Sequence, residues 1–189
     1  MKTLDFSLGE AMREISDAVA AAIRENKGFV VIVGGSSSDE KHITEISSKL
    51  HDPYEILHQV RICSAHKEPL RLLRMLEEYD SIPGALAYIA VAGGTDALSG
   101  MLSFNTHRPV ISCPPDAPND SCVMNPPGSS NSYVWRPVNA ARFIAQLFSH
   151  LPGTAYTEIL IGERHNKIVQ LQEADVKFSA FPYDPRVVK

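Results

Sequence analysis

The sequence predicts a three-layer α/β fold in which helices cover both faces of a doubly wound parallel sheet. Four short apolar runs, at residues 29–33, 56–62, 85–92 and 109–113, are predicted to be strands. Segments with helical patterns separate these runs, and strands that alternate with helices form βαβ units with right-handed crossovers. This layout is typical of a flavodoxin-like sheet, which binds ligands outside the carboxyl ends of its strands.

Length and composition favour a single folded domain. The chain has 189 residues, of which 44% are hydrophobic and 21% are charged, and such a composition is typical of globular proteins. The net charge is -4 and Lys and Arg form no cluster, which argues against a nucleic-acid partner. An anionic small ligand is compatible with this charge, because a few local donors suffice to bind one phosphate.

Three features bear on the cellular compartment. The longest apolar run, at residues 85–92, is too short to span a bilayer, so no membrane partner is expected. The first residues carry charges where a signal peptide needs an apolar run. Cys63, Cys113 and Cys122 form no C-x-x-C pair, which argues against a disulfide framework and a cysteine-based zinc site. We therefore expect a cytoplasmic protein.

The chain begins with an extension, residues 1–28, that precedes the first predicted strand. Residues 7–27 are expected to form an amphipathic helix, because Ser7 and Glu10 match a capping box. Its apolar stripe consists of Ile15, Val19, Ala22 and Ile23. Gly28 is expected to end this helix in a left-handed conformation. We interpret the extension as an added element for packing or for oligomer contacts.

Further helices are predicted between and after the strands. They cover residues 39–50, 69–79, 137–149 and 156–176. A segment rich in Pro, Asp and Asn, at 114–127, is expected to be a long loop, and long loops in compact domains are often functional. The predicted organisation is an N-terminal helical extension at 1–28, a central domain at 29–150, and a C-terminal helical extension with an irregular tail at 151–189.

Small and hydroxyl-bearing residues follow the first strand, where a helix is predicted to begin. The segment reads Gly34-Gly35-Ser36-Ser37-Ser38-Asp39. Free backbone N–H groups and the positive end of a helix dipole at such a place suit a phosphate. A plain turn with Asp39 as N-cap would explain the aspartate alone, whereas two glycines followed by three serines favour a ligand-binding loop.

A hydroxyl, an imidazole and an ammonium group follow the second strand, in Ser64, His66 and Lys67. A histidine at such a position can be a hydrogen-bonded structural residue. It can also be a general acid or base, because imidazole titrates near neutrality. Lys67 places a cation on the edge where ligands bind, and from these residues alone both interpretations of His66 stay open.

The third and fourth strands end in contrasting segments. Small residues from Ala92 to Gly100 either let a ligand approach the backbone closely or form a tight turn before a short helix. Cys113-Pro114-Pro115 follows the fourth strand and stiffens the loop, because residues before proline favour extended conformations. The histidines show no i, i+4 pair and no H-E-x-x-H pattern, so no metal site is expected.

Together the four junctions resemble the PurE family, whose enzymes act on aminoimidazole ribonucleotide (AIR) in purine biosynthesis. The shared pattern is G-S-x-S-D, S-A-H-K, A-G-x-x-x-A-L-S-G and C-P-P after successive strands. It extends over residues 30–147, in the order and spacing of the family. The lysine after the histidine and the C-P-P segment look like the class II form, AIR carboxylase. Class II enzymes use CO2 directly, without ATP, biotin or metal, so the resemblance implies no cofactor.

The resemblance also implies roles for individual residues of the central, PurE-like catalytic domain. His66 corresponds to the catalytic histidine. The residues expected to bind substrate are Ser36, Ser38, Asp39, Ser64, Lys67, Ala92, Gly93, Gly94, Thr95 and Asp96. Among them, Ser38, Ser64 and Lys67 correspond to groups that hold the phosphate. The expected partners are AIR, CO2 and further copies of the chain in a homo-octamer.

The chain departs from the family pattern at the third junction. Class II chains read A-G-R-S-N there, whereas this chain reads Ala92-Gly93-Gly94-Thr95-Asp96. Gly94 lacks the arginine, and a carboxylate at Asp96 is expected to disfavour a nearby anionic substrate. Three alternatives stay open: a class I-type mutase that uses the carbamate of AIR, a non-catalytic ribonucleotide-binding relative, and an unrelated flavodoxin-like phosphosugar or flavin binder.

Overall fold

Five parallel strands form the sheet at the centre of the protein. In the computed structural model, which describes residues 14–179 and Arg186, the strands are β1 (Phe29–Gly34), β2 (Leu57–Ile62), β3 (Leu86–Val91), β4 (Val110–Ser112) and β5 (Ser132–Tyr133). Their order across the sheet is β2-β1-β3-β4-β5. The strand order therefore reverses between β1 and β3. The crevice outside the carboxyl ends at such a switch point is where doubly wound sheets bind ligands.

Helices cover both faces of the sheet. They are α1 (Asp17–Arg24), α2 (Glu40–His51), α3 (Pro69–Asp80), α4 (Ala97–Asn105), α5 (Pro137–Phe148) and α6 (Tyr156–Phe178). Side chains of α1, α3 and α4 pack on one face, whereas those of α2, α5 and the start of α6 pack on the other. Within residues 14–179, no helix has both the length and the apolar character needed to cross a membrane.

The strand pattern explains the continuous apolar runs in the sequence. Every residue of β1 and β3 is buried, because successive side chains point to opposite faces and both faces are covered. Val31 thus joins the core beneath α3, and Ile32 joins the core beneath α2 and α5. Strand β2 lies at the edge of the sheet, and its Leu57 and Val60 are exposed.

The predicted flavodoxin-like fold class is confirmed, and the four predicted strands are present with small differences at their ends. Strand β5 is absent from the sequence-based prediction, because its two residues, Ser132 and Tyr133, form no apolar run. It pairs with β4 through Ile111 and Ser132. The predicted long loop between β4 and β5 contains a short 3-10 helix at Asp120–Val123.

The N-terminal extension differs from its prediction. Helix α1 begins after Ser16, whose Oγ accepts a hydrogen bond from the backbone N–H of Val19 at 3.4 Å. The predicted capping residues, Ser7 and Glu10, lie outside the described residues. The predicted helix end at Gly28 is wrong, because α1 ends at Arg24 and Asn26, with φ 57°, is the C′ residue. Gly28 also has a positive φ, 95°, but it lies further along, directly before β1.

The apolar stripe of the extension packs as predicted. Ile15 and Ile23 are buried in the core on the α3 side of the sheet, and Val19 and Ala22 pack against that core. Just before α1, the carboxylate of Glu14 forms ion pairs with Arg61 of β2 and Arg71 of α3. The described part of the extension is therefore bound to the sheet by both apolar and ionic contacts.

Helix α6 is attached to the domain by its first turns. The hydroxyl of Tyr156 donates to the carbonyl oxygen of Lys27 at 2.9 Å. Further along, Glu163 accepts from Tyr54 at 2.7 Å and forms an ion pair with Arg142 of α5. Tyr156 is the buried residue of this helix, and the later turns lie largely exposed.

Candidate functional site

A cavity of about 290 Å³ lies at the carboxyl ends of β1, β2 and β3. The segments that follow these three strands line it. After β1 they contribute Gly35, Ser36, Ser38 and Asp39. After β2 they contribute Ser64, Ala65, His66 and Lys67, and after β3 they contribute Ala92, Gly93, Thr95, Ala97 and Leu98. The cavity thus occupies the crevice that the strand order predicts.

The segment after β1 forms a tight serine turn. Ser36 caps the 3-10 helix Ser37–Asp39, because its Oγ accepts the backbone N–H of Ser38 at 3.2 Å. The Ser38 hydroxyl also lies 2.9 Å from the Ser36 hydroxyl. Gly34 at the end of β1 is closely packed, since a Cβ there would lie 2.6 Å from Cδ1 of Ile43 and would displace that methyl group. Both Ser36 and Ser38 line the cavity.

The segment after β2 brings three functional groups to the same edge. The Oγ of Ser64 accepts the backbone N–H of Lys67 at 3.4 Å, which closes the turn around His66. His66 is exposed to the cavity, and its Nε2 lies 3.5 Å from the carbonyl oxygen of Thr95. Behind this turn, Arg71 holds Glu68 in an ion pair at 3.2 Å.

The segment after β3 separates the predicted site residues into two groups. Ala92, Gly93 and Thr95 line the cavity, whereas Gly94 and Asp96 do not. Asp96 is only 4% exposed, and its Oδ1 accepts the N–H of Ser99 at 2.9 Å as the N-cap of α4. The expected repulsion between this carboxylate and a bound anion therefore finds no support, because the side chain points into the protein.

A different carboxylate, Asp116, lies beside the cavity wall. Its Oδ2 accepts the N–H of Gly94 at 2.7 Å, and a Cβ on Gly93 would lie 3.3 Å from the same oxygen. The hydrogen bond from Gly94 lowers the pKa of Asp116 below its ordinary value. This residue was not among those predicted from sequence, although it directly follows Cys113-Pro114-Pro115 at the end of β4.

The charges around the cavity are mixed. Burial raises the pKa of Asp39, and the negative charge of Asp116 adds to this rise. Lys67, after β2, supplies a cation to the same lining. The cavity can therefore hold an anionic group near Lys67 and the serine hydroxyls, while the carboxylates favour donors elsewhere in a ligand.

Comparison with known proteins gives consistent matches over most of the chain. The family model described as AIR carboxylase matches residues 29–159. A phosphoribosylaminoimidazole carboxylase of Treponema denticola is 38% identical over 64% of this chain and 79% of its own length. One from Archaeoglobus fulgidus is 34% identical over 80% of this chain and 86% of its own length.

A solved structure gives the same result. The crystal structure of Treponema denticola PurE superposes with a TM-score of 0.74 and 32% identity, and the match covers 81% of this chain and 99% of that one. Both the sequence and the fold thus agree over the whole sheet and the cavity-lining segments. The chain belongs to the AIR carboxylase family, as the resemblance in its four junctions implies.

Proposed function

We propose that this protein is an AIR carboxylase, which joins CO2 to aminoimidazole ribonucleotide without ATP, biotin or metal. The observation that carries the proposal is the cavity at the β1/β3 switch point, where an imidazole, an ammonium group and serine hydroxyls line one space. Membership of the AIR carboxylase family supports the same reaction.

The phosphate of the ribonucleotide is proposed to bind between the first two junctions. Ser38 and Ser64 offer hydroxyl donors from the ends of β1 and β2, and Lys67 offers a point charge in the same cavity. Ser36 and Asp39 lie on the same turn as Ser38, within reach of the ribose and phosphate in this arrangement. Anchoring the phosphate here would bring the aminoimidazole ring of the substrate toward His66.

The reaction itself needs one base. AIR is an enamine, so its nucleophilic ring carbon attacks CO2 and forms the new C–C bond. That carbon then carries both the new carboxylate and its original hydrogen. His66 is proposed to remove this proton, and the electron pair of the C–H bond restores the aromatic ring. In the reverse direction the same imidazole returns the proton.

CO2 offers few groups for binding, so the cavity must mainly position it and exclude water. Small and apolar residues make up part of the cavity lining, namely Ala65, Ala92, Gly93 and Leu98. We propose that Gly93 and Ala92 leave the room that CO2 needs beside the reacting ring. Larger side chains at these positions would occupy this space.

The test is a carboxylation assay with the purified protein, AIR and bicarbonate in the absence of ATP. We expect the carboxylated ribonucleotide to form at a rate that rises with dissolved CO2. A parallel reaction with the carbamate of AIR, kept free of CO2, separates the alternatives. Turnover of the carbamate alone would identify a class I-type mutase. Binding of AIR with no turnover of either substrate would identify a non-catalytic relative.

The two alternatives rest on different residues. Lys67 and Cys113-Pro114-Pro115 are the features that favour direct use of CO2 over the mutase reaction. Gly94 favours the non-catalytic alternative, because it supplies no cation where the family pattern has an arginine. The space beside it is open, since a Cβ at this position would meet no atom within 4 Å. The nearest side chain to its N–H is Asp116, which adds a negative charge to this wall.

We further propose that the chain works as a homo-octamer. Support comes from exposed apolar side chains along α6, among them Ile161, Ile168 and Leu171, because such side chains can be buried where copies of a chain meet. Light scattering at micromolar concentration tests this assembly, and a monomer mass would contradict it.

We also propose a division of the chain into three parts and a cytoplasmic location. The family match over residues 29–159 supports a catalytic domain at 29–150 that lies between two helical extensions. A cytoplasmic location is supported by the cysteines, since Cys63, Cys113 and Cys122 are all free and buried, and free thiols are typical of reducing compartments.

A further inference from the structure

The loop between β4 and β5 forms hydrogen bonds with the backbone of the segment after β3. Asp116 accepts the N–H of Gly94 at 2.7 Å, and the side-chain amide of Asn119 donates to the carbonyl oxygen of Gly94 at 2.8 Å. The Oγ of Ser121 accepts the N–H of Asp96 at 2.9 Å. These three residues, Asp116, Asn119 and Ser121, therefore fix consecutive peptide groups on either side of Thr95. We refer to them as the loop clamp.

We propose that the loop clamp positions His66 for proton transfer, by fixing the direction of the Thr95 carbonyl group that contacts its ring. The N–H of Asp96 and the carbonyl oxygen of Thr95 belong to one planar peptide group. This peptide group is held at both ends, because its N–H donates to Ser121 and its carbonyl oxygen accepts the N–H of Ala97 at 3.1 Å. The bond to Ser121 therefore contributes to where the oxygen points. That oxygen lies 3.5 Å from Nε2 of His66. The proposal rests on the proposed role of His66 as the base.

The contact selects one tautomer of the imidazole. A carbonyl oxygen can only accept, so a hydrogen bond to Thr95 requires the proton of neutral His66 to be on Nε2. Nδ1 then carries the free lone pair and is the atom able to take a proton from substrate. Because His66 is exposed and its ring contact is long, a small rotation of the Thr95 peptide would remove this selection.

The segment needs such external bonds because its own backbone is permissive. Gly93 and Gly94 are adjacent, and Gly94 adopts a left-handed conformation with φ 67°. This is one of several conformations that a glycine adopts at similar energy. The clamp is rigid by comparison. Asn119 is buried, its amide also donates to Asp116 at 3.0 Å, and its backbone N–H donates to the hydroxyl of Tyr133 on β5 at 3.1 Å.

The test compares Asp116→Ala and Ser121→Ala with two controls. Asp120→Ala removes the same charge as Asp116→Ala from an exposed neighbour in the same loop. Ser121→Thr keeps the hydroxyl acceptor and should restore the parent behaviour. One readout is the tautomer of His66, from nitrogen-15 NMR of histidine-labelled protein assigned with His66→Asn. The other is the division of the carboxylation defect between kcat and KM.

We expect Asp116→Ala and Ser121→Ala to raise the fraction of His66 with its proton on Nδ1 and to lower kcat by up to about 100-fold, as misplacement of a reacting group does. KM for AIR should stay unchanged, or fall in Asp116→Ala because a negative charge beside an anionic substrate is lost. Asp120→Ala should change neither readout. Unchanged tautomer populations and unchanged kcat in both alanine variants would overturn the proposal.

The two readouts separate this proposal from the proposed function. If the parent protein does not carboxylate AIR but the tautomer still responds to both clamp variants, the proposed function fails and the clamp stands. If the parent is active and the tautomer and kcat are insensitive to the clamp, the carboxylase stands and the clamp fails. Thermal unfolding of each variant shows whether a lost signal comes from lost folding.

Discussion

Asp96 and Ser99 form the hydrogen bond that starts α4, with Oδ1 of the carboxylate 2.9 Å from the backbone N–H. The side chain is buried, and its charge, after burial itself, contributes to a pKa of about 12 for the neighbouring Cys122 thiol. A residue that the family pattern places in the substrate site therefore serves here as a helix cap. Its charge is directed away from the cavity.

We predict that Asp96→Asn leaves KM for AIR within about twofold of the parent, because the side chain does not line the cavity. Asn caps helices as well as Asp does, so stability should also be nearly unchanged. Asp96→Ala should lower the free energy of unfolding by about 1 kcal/mol through loss of the cap. Urea denaturation and steady-state kinetics measure the two effects. A severalfold fall in KM for Asp96→Asn would show that the carboxylate does repel the substrate.

The fold could be predicted from sequence where packing dictates residue type. The continuous apolar runs of β1 and β3 predict buried central strands, because both faces of those strands are covered. The short strand β5 could not be predicted in this way. Its place depends on pairing with β4 through Ser132 and Tyr133, which no local pattern reports. The end of α1 at Arg24, with Asn26 rather than Gly28 in the C′ position, likewise depends on how the chain enters β1.

The position of the candidate site could be predicted from the sequence, but the directions of its side chains could not. Ser38, His66 and Thr95 meet because the carboxyl ends of neighbouring parallel strands share one edge, a consequence of topology alone. Whether Asp96 points into the cavity or caps a helix is a rotamer choice that the sequence does not specify. Asp116 lies in a loop without periodicity and was not predicted, although its position directly after the two prolines was a signal that could have identified it.

Gly84 tests how tightly α1 is packed on the domain. It has φ 142°, and a Cβ there would lie 2.1 Å from the backbone carbonyl oxygen of Ile23 in α1. We predict that Gly84→Ala lowers the free energy of unfolding by at least about 1 kcal/mol, because neither backbone can move aside freely. Gly162→Ala is the matched control, since Gly162 lies within α6 with no atom near its Cβ position. That control should stabilise the protein by roughly 0.5–1 kcal/mol. Equal stability of the two variants would contradict the close contact.

Glu14 makes stability depend on pH. Burial alone would raise the pKa of its carboxyl, but hydrogen bonds and charges from Arg71 and Arg61 outweigh burial and lower it. The ion pairs therefore stabilise the fold fully above the unfolded pKa of about 4.3, and this contribution is lost as the pH falls through the lower folded pKa.

We accordingly predict that Glu14→Gln lowers the free energy of unfolding at pH 7 by about 1–3 kcal/mol, and that the difference from the parent disappears in acid. Glu25→Gln is the control, because Glu25 forms an exposed pair with Lys27 at 3.7 Å. Such surface pairs contribute little. Unfolding curves between pH 3 and pH 7 measure both variants. A Glu14→Gln difference that persisted at the acid end would assign the effect to packing rather than to charge.

Lys67 is expected to hold the phosphate of the substrate. Removing an ammonium group that binds a charged partner typically costs about 1.5–3 kcal/mol, so Lys67→Ala should raise KM for AIR by roughly 10–100-fold. Added salt should raise KM less in the variant than in the parent, because the screened charge is already absent. Lys167→Ala, on the exposed face of α6, serves as the control. A rise in KM of the same size in both variants would point to general charge rather than to a phosphate contact.

His66 gives the most direct prediction about mechanism. It lies at the carboxyl end of β2, between Ser64 and Lys67, and it is exposed to the cavity. If it transfers the proton from the ring carbon, His66→Asn should leave the affinity for AIR nearly intact and lower turnover by about 10²–10⁴-fold, the usual contribution of a positioned acid or base. If it only packs, the substitution should change stability, and binding and turnover should fall together.

Calorimetric binding of AIR and steady-state rates, measured for both proteins, distinguish these outcomes. His165→Asn, on the exposed part of α6, controls for loss of an imidazole elsewhere. A His66→Asn protein that binds AIR normally and turns over within a few-fold of the parent would remove His66 from the mechanism.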